Sequence, residues 1–203
     1  MNKGIFLSRI MFAAAVSLWL AGCASSLPAR FYTLTPLGAG EAQPSAPAVT
    51  SPASVSVAQV EIPDYLNRPQ IVTRDGRNEL RLAEFDRWAG SLSDNIAAVL
   101  AEDLALILGS DRVYVSDRMR AEKADYSVAI QILRLDCVPG DQVLLKAQWT
   151  LFAGPERKDA ATRMMTFTER VGDQRYETLV AAVSATLGKV SREIAREIPA
   201  PKQ

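Results

Sequence analysis

The chain has 203 residues, with 23 basic and 23 acidic side chains and no histidine. Balanced charge gives no electrostatic basis for binding nucleic acid or for a polybasic grip on anionic lipid. Without histidine, no Ser-His-Asp or Cys-His constellation, His-containing zinc site or imidazole pH switch can form within the chain.

The first residues read as a secretory leader. Lys3 and Arg9 make a positive start, and Ile10 to Leu20 form an apolar run. That run is too short to span a membrane, which takes roughly 20 apolar residues. It ends in Leu20-Ala21-Gly22-Cys23, which resembles the bacterial lipobox. There the cysteine thiol takes a diacylglycerol, the leader is cut, and the new N-terminus is acylated. The expectation is a leader over residues 1–22 and lipidation at Cys23, with no cofactor beyond the diacylglycerol and N-acyl chain. Three acyl chains exceed the two hydrophobic signals that stable anchoring requires. Ala24 stands where lipoproteins retained at the inner membrane carry aspartate. The predicted destination is therefore the outer membrane of a Gram-negative envelope, on its periplasmic face.

Processing removes Lys3 and Arg9, leaving 21 basic against 23 acidic side chains, net −2. The remaining roughly 180 residues fit one domain with a real core. Cys137 is then left without a partner. Its position at the end of the apolar-patterned residues 128–135 suits a small buried hydrophobe better than a reactive thiol.

Residues 24–29 read as a short tether, followed by the β-prone Arg30-Phe31-Tyr32-Thr33-Leu34-Thr35. From residue 36 to 54 the chain turns to Pro, Ala, Gly and Ser with one charge, Glu41, and reads as semi-extended. Residues 23–53 are thus a tether and linker. Residues 31–35 are expected to dock on the body, because free aromatics would leave an exposed sticky spot.

The body is expected over residues 54–198, with a tail at 199–203. Val55 to Val60 predicts a strand, and Ile71-Val72-Thr73 a second. Asp75-Gly76-Arg77-Asn78 is a turn, and Leu80-Arg81-Leu82 returns as the other arm of a hairpin. Ser91 with Asp94 signals a helix start, Leu92 to Leu108 repeats at helical spacing, and Gly109 stops it. Glu102 and Asp103 are expected on the solvated side. Val113-Tyr114-Val115 is a short strand. Three long strands follow, over Tyr126 to Ile132, Val143 to Phe152 and Met164 to Val171, as an antiparallel meander. A helix is expected from about Gln174 to Ile198, capped by Asp173 and closed by Pro199. Its apolar stripe suits packing on the domain's own sheet better than a coiled coil. The predicted fold is α/β: a single domain with a mixed sheet, two long helices and a C-terminal meander.

Candidate chemistry is sparse. The loop Pro63-Asp64-Tyr65-Leu66-Asn67-Arg68-Pro69 sets aromatic, aliphatic and cationic groups between two prolines. Either it is an exposed contact patch, or Tyr65 and Leu66 cover one end of the core and leave Asp64 and Arg68 outside. Trp88, at a strand-to-helix corner, either fills the core or reaches a lipid or partner. Tyr32, Asp64, Tyr65, Leu66, Arg68 and Trp88 are the candidate partner-docking residues. The face of Trp149 is undetermined by its neighbours. Glu61/Asp64, Glu84/Asp86 and Glu102/Asp103 are the nearest carboxylate pairs. None is flanked by nucleophile or oxyanion cues, so no catalytic residue is assigned. Asp75-Gly76 lacks the carboxylates of a calcium loop.

Four segments carry a family likeness: Phe31-Tyr32-Thr33-Leu34; Val60-Glu61-Ile62-Pro63-Asp64-Tyr65-Leu66 leading to Ile71-Val72-Thr73-Arg74; Trp88-Ala89-Gly90-Ser91-Leu92; and the last helix from Tyr176, Leu179 and Val180 to Ile194-Ala195. In this order after a lipobox, over residues 30–198, the chain resembles the ABC-type transport auxiliary lipoproteins. Ser91 stands where that family often has proline, and both suit a helix start. The resemblance implies a role beside an ABC system whose substrate-binding component carries an MCE domain and which moves phospholipid or other hydrophobic molecules between the two membranes. It implies docking of the periplasmic MCE protein at the outer-membrane end, supporting envelope integrity, with a ring of copies suited to a symmetric tube. The chain itself would not be an enzyme, in keeping with the missing phosphate loop. The competing readings are an assembly lipoprotein for another outer-membrane protein and a histidine-free envelope hydrolase.

Overall fold

In the computed structural model, residues 28–38, 53–58, 60–116, 124–154 and 156–199 are described. The leader, Cys23, residues 39–52 of the linker and residues 200–203 of the tail lie outside the described residues.

Local signals set most element ends. Helix α1, Leu92–Leu108, starts where Ser91 Oγ accepts the Asp94 N–H at 3.3 Å. It stops at Gly109, whose φ of +60° suits a residue without Cβ. The second helix, α2 (Tyr176–Glu197), begins without a side-chain cap. Asp173 does not cap it directly: its carboxylate accepts the Arg175 N–H at 2.8 Å and so shapes the turn before the helix.

The hairpin forms through Gly76 and joins β3 (Gln70–Asp75) to β4 (Glu79–Trp88). Strand β4 runs six residues beyond the expected Leu82. Ile71 alone stands opposite residues 83–86, and this bulge erases the alternation that would have revealed the rest of the strand. Its other edge is taken by β1 (Arg30–Tyr32), running parallel, to give a sheet ordered β1-β4-β3.

A second sheet holds the remaining strands. Strand β2 (Val55–Val57) lies parallel between β5 (Val113–Val115) and β6 (Tyr126–Val138). Strands β7 (Gln142–Ala153) and β8 (Lys158–Arg170) complete the meander, in the order β5-β2-β6-β7-β8. The α/β class, the single domain, the two long helices and the meander are as expected. The strands divide between two mixed sheets, because β1 closes the hairpin's free edge and nothing local to β1 announces that partner.

The core lies between the five-stranded sheet and the helices. On β7, Val143, Leu145, Ala147, Trp149 and Leu151 are each at most 1 % exposed, which settles Trp149 as an inward residue. On β6 the inward set switches from Val128, Ile130 and Ile132 to Leu135 and Cys137 across a bulge. Helix α2 packs on β7 and β8 and also against α1. On the edge strand β8, Arg163 and Lys189 donate to the carbonyl oxygens of Thr162 and Thr168 at 3.2 and 3.0 Å. Cations seated on an edge in this way discourage addition of a further strand.

Candidate functional site

The segment that leads into the body from the lipobox side is built into the fold. Arg30 grips Asp86 with two hydrogen bonds, Nε to Oδ1 at 2.8 Å and Nη2 to Oδ2 at 3.0 Å. The Tyr32 hydroxyl donates to the same Oδ1 at 2.8 Å, and its ring meets Tyr176 at 6.5 Å between centroids. Burial first, and then the Asp86 carboxylate, push the Tyr32 hydroxyl's pKa up.

Beyond β1 the strap leaves the sheet, so its backbone donors need other acceptors. The helices supply them. Leu34 N–H donates to Asn95 Oδ1 at 2.7 Å, Thr35 N–H to Ser184 Oγ at 3.1 Å, and Leu37 N–H to Asp103 Oδ1 at 2.7 Å. Leu34 and Leu37 are both buried. A Cβ at Gly188 would lie 2.6 Å from Leu37 Cδ2, so α2 is shaved to glycine where the strap crosses it.

Asp103 is therefore not on a solvated face: it is 0 % exposed. Besides Leu37 it receives the Ser191 hydroxyl on Oδ2 at 2.9 Å. Burial raises its pKa, against the opposing effect of those two donors. The signal was present in the sequence, since position 103 falls on the Ile96-Leu100-Ile107 face of α1. Asp86, Asn95 and Ser184 carried no such signal, because the strap residues that bond them lie 54 to 149 residues away in the chain, and Gly188 and Ser191 owe their roles to the equally distant Leu37 and Asp103.

The docking candidates gather unevenly around this strap. Trp88 is buried at 6 % exposure, pairs in register with Tyr32, and donates its backbone N–H to the Pro69 carbonyl at 2.7 Å. Tyr32 and Trp88 line a cleft of about 330 Å³ together with Gly90, Ser91 and Asn95. Asp64, Tyr65 and Leu66 form a short 3-10 turn. Leu66 is buried, and half-buried Tyr65 accepts the Leu135 N–H on its hydroxyl at 3.4 Å. The loop thus covers one end of the core. Asp64 is exposed, but Arg68 is half-buried rather than outside, its Nε enclosed.

The carboxylate pairs are split by the fold. Glu84 and Glu102 are exposed while Asp86 and Asp103 are buried on the strap, and Glu61 accepts from Gln131 Nε2 at 3.1 Å. Among the described residues no group of three His, Cys, Asp or Glu side chains is placed to hold a metal ion. Cys137 is 2 % exposed, and burial pushes its thiol up to about 12. No described helix is long and apolar enough to cross a membrane.

The Asp86 contacts allow a direct test. Asp86→Ala leaves the Tyr32 hydroxyl without its partner, a loss of about 1–2 kcal/mol. The Arg30 arm, open to solvent, adds nothing to that figure. Amide exchange of residues 30–37 is expected to quicken well before global unfolding. Unchanged exchange there would mean that Leu34 and Leu37 hold the strap unaided.

The described residues form a mixed α/β fold in which a shallow cleft lies beside a strap held by buried polar contacts. The family model for the ABC-type transport auxiliary lipoprotein component matches residues 32–195. The chain belongs to that family, whose members are lipoproteins auxiliary to ABC-type transport. The match starts within the strap, not at β2. No curated protein matches the sequence. A crystal structure of an uncharacterised protein is similar over 85 % of this chain and 100 % of its own, at 18 % identity and a TM-score of 0.66. A protein from Xanthomonas campestris is similar over 82 % of this chain and 93 % of its own, at 19 % identity and a TM-score of 0.65. At these identities the likeness is one of fold.

Proposed function

We propose that this chain is a lipid-anchored periplasmic docking subunit of an MCE-type ABC transport system. Cys23 holds it to the outer membrane, and its body receives the periplasmic MCE protein that carries lipid or other hydrophobic molecules between the membranes. It catalyses no reaction itself. It acts by confining a binding surface to a thin layer, which raises the effective concentration for partners there.

The observation that carries this reading is the strap. With residues 30–37 bound to the body, the leash from Cys23 to Arg30 is seven residues, an end-to-end distance on the order of 15 Å. With the strap free, the leash to Val55 would be 32 residues and on the order of 30 Å. A short, defined standoff suits a subunit that meets a partner at a set height above the membrane. Family membership supports the transport role.

The test is cross-linking in intact cells followed by purification of the lipidated chain from solubilised envelopes. An MCE-domain protein is expected among the cross-linked partners. Recovery of an outer-membrane barrel protein with no MCE protein would favour the assembly role and overturn this one.

A further inference from the structure

The ladder of the three-stranded sheet sorts its side chains by face. Tyr32 bonds Asp86 and meets Tyr176, and Thr73 hydrogen-bonds the Tyr176 hydroxyl, so Tyr32, Asp86 and Thr73 mark the face turned toward α2. Register partners share a face, as do residues two apart on one strand. Phe31 is in register with Arg87, Arg87 with Gln70, Val72 with Leu82, and Arg74 with Leu80. Gln70, Val72 and Arg74 alternate with Ile71 and Thr73 along β3. Phe31, Arg87, Leu82 and Leu80 therefore fall together on the face turned away from α2.

On β1 and β4 that face is apolar and open, whereas on β3 it is closed: Val72 is 5 % exposed and Arg74 bonds the buried Asp136 of β6 at 2.6 Å. Phe31 is 62 % exposed, Leu82 50 % and Leu80 37 %. They are half of the six large hydrophobic side chains exposed among the described residues, the others being Leu106, Val115 and Met164. Several on one sheet face mark a contact surface, whereas single ones need no explanation.

The chain itself indicates what covers it. Phe31 sits on the edge strand that follows the lipobox, and the chain takes seven residue steps from Cys23 to Arg30. Fully extended they span at most about 25 Å. A membrane holding Cys23 is therefore within reach of this sheet whatever the rest of the domain does.

We propose that the open β1–β4 part of the three-stranded sheet's outer face, led by Phe31 and Leu82, seats on the lipid surface that holds Cys23. Its apolar side chains enter the headgroup–acyl boundary, and Arg87 beside them meets lipid phosphate. The proposal rests on the anchoring reading above and adds an orientation to it: the body is not free to tumble on its leash.

Single cysteines test this cleanly, since lipid blocks the Cys23 thiol and Cys137 is buried with its thiol pushed up to about 12. Phe31→Cys, Leu82→Cys and, as a control on β8, Met164→Cys are each labelled with an environment-sensitive fluorophore. The lipidated protein is placed on phosphatidylethanolamine–phosphatidylglycerol vesicles with and without nitroxide lipid. Seating about 5–10 Å into the interface predicts loss of about half the emission at positions 31 and 82, and little at 164. If the protein floats with the vesicles but nitroxide lipid quenches all three labels equally or not at all, the seating is wrong and the anchor stands. If labels 31 and 82 are shielded from aqueous iodide yet untouched by nitroxide lipid, a second copy covers the face and the proposal falls. If the protein does not float, the anchoring reading fails and takes the seating with it.

Discussion

A Cys23→Ala chain, exported behind an ordinary cleavable leader, is expected in the soluble periplasmic fraction, while the native chain sediments with the envelope. The expected change is close to complete. One myristoyl chain binds a membrane with an association constant of only about 10⁴ M⁻¹, whereas two hydrophobic signals hold stably. Removing all three chains leaves the sheet face carrying Phe31 and Leu82 as the sole lipid contact. The contacts that hold the domain together begin at Arg30 and lie within the body, so its thermal unfolding should be unchanged. Retention of the variant in the membrane fraction would remove the basis for lipidation at this residue. A lowered melting temperature would show that the anchor also stabilises the fold.

Asp103→Ala is expected to destabilise the domain by about 2–3 kcal/mol, because it strands the buried Leu37 N–H. Ser191 keeps a partner, since its one hydroxyl proton can turn to the Leu187 carbonyl, 3.1 Å from Oγ. Asp103→Asn should behave differently. Its carbonyl can accept from Leu37, and its amide can donate to Ser191 Oγ.

The pH dependence has a definite sign. Burial raises the Asp103 carboxyl, so the folded state holds that proton more tightly than the unfolded chain does. The associated stability is fully present below the ordinary aspartate value and is lost as pH rises through the raised folded value. Asparagine mimics the protonated form at every pH. The stability of Asp103→Asn relative to the native chain should therefore grow as pH rises above about 4, the ordinary aspartate value, and level off above the raised folded value. Denaturation curves across that range decide the matter. A difference that shrinks with pH would mean that the ionised carboxylate is the better acceptor in the buried site.

The consequence for function lies in the leash. If Leu37 leaves its seat over Gly188 the strap loses that contact, but the leash stays short while β1 remains paired with β4; only release of β1 lets the body stand farther from the lipid. Asp103→Ala and Asp86→Ala act at opposite ends of the strap. Their effects on amide exchange should differ, with Asp86→Ala freeing β1 first and Asp103→Ala freeing the stretch around Leu37.

What the chain's order alone determined is whatever depends on near neighbours. Ser91 and Gly109 bracket α1 because a cap acts within one turn, and Gly76 closes the hairpin because a turn is four residues long. The alternation of β7 reveals the meander for the same reason. Absence of histidine closes off whole classes of chemistry before any folding is considered. Tertiary structure decided the rest. Asp86 looks like an ordinary surface carboxylate in sequence, and although the spacing of α1 puts Asp103 on its apolar face, the donors that both receive come from a strap far up the chain. The face of Trp149, the extension of β4 past its bulge and the division into two sheets are likewise set by partners distant in sequence. A residue's periodicity records which way it points, but the identity of what it points at exists only once the chain has closed on itself.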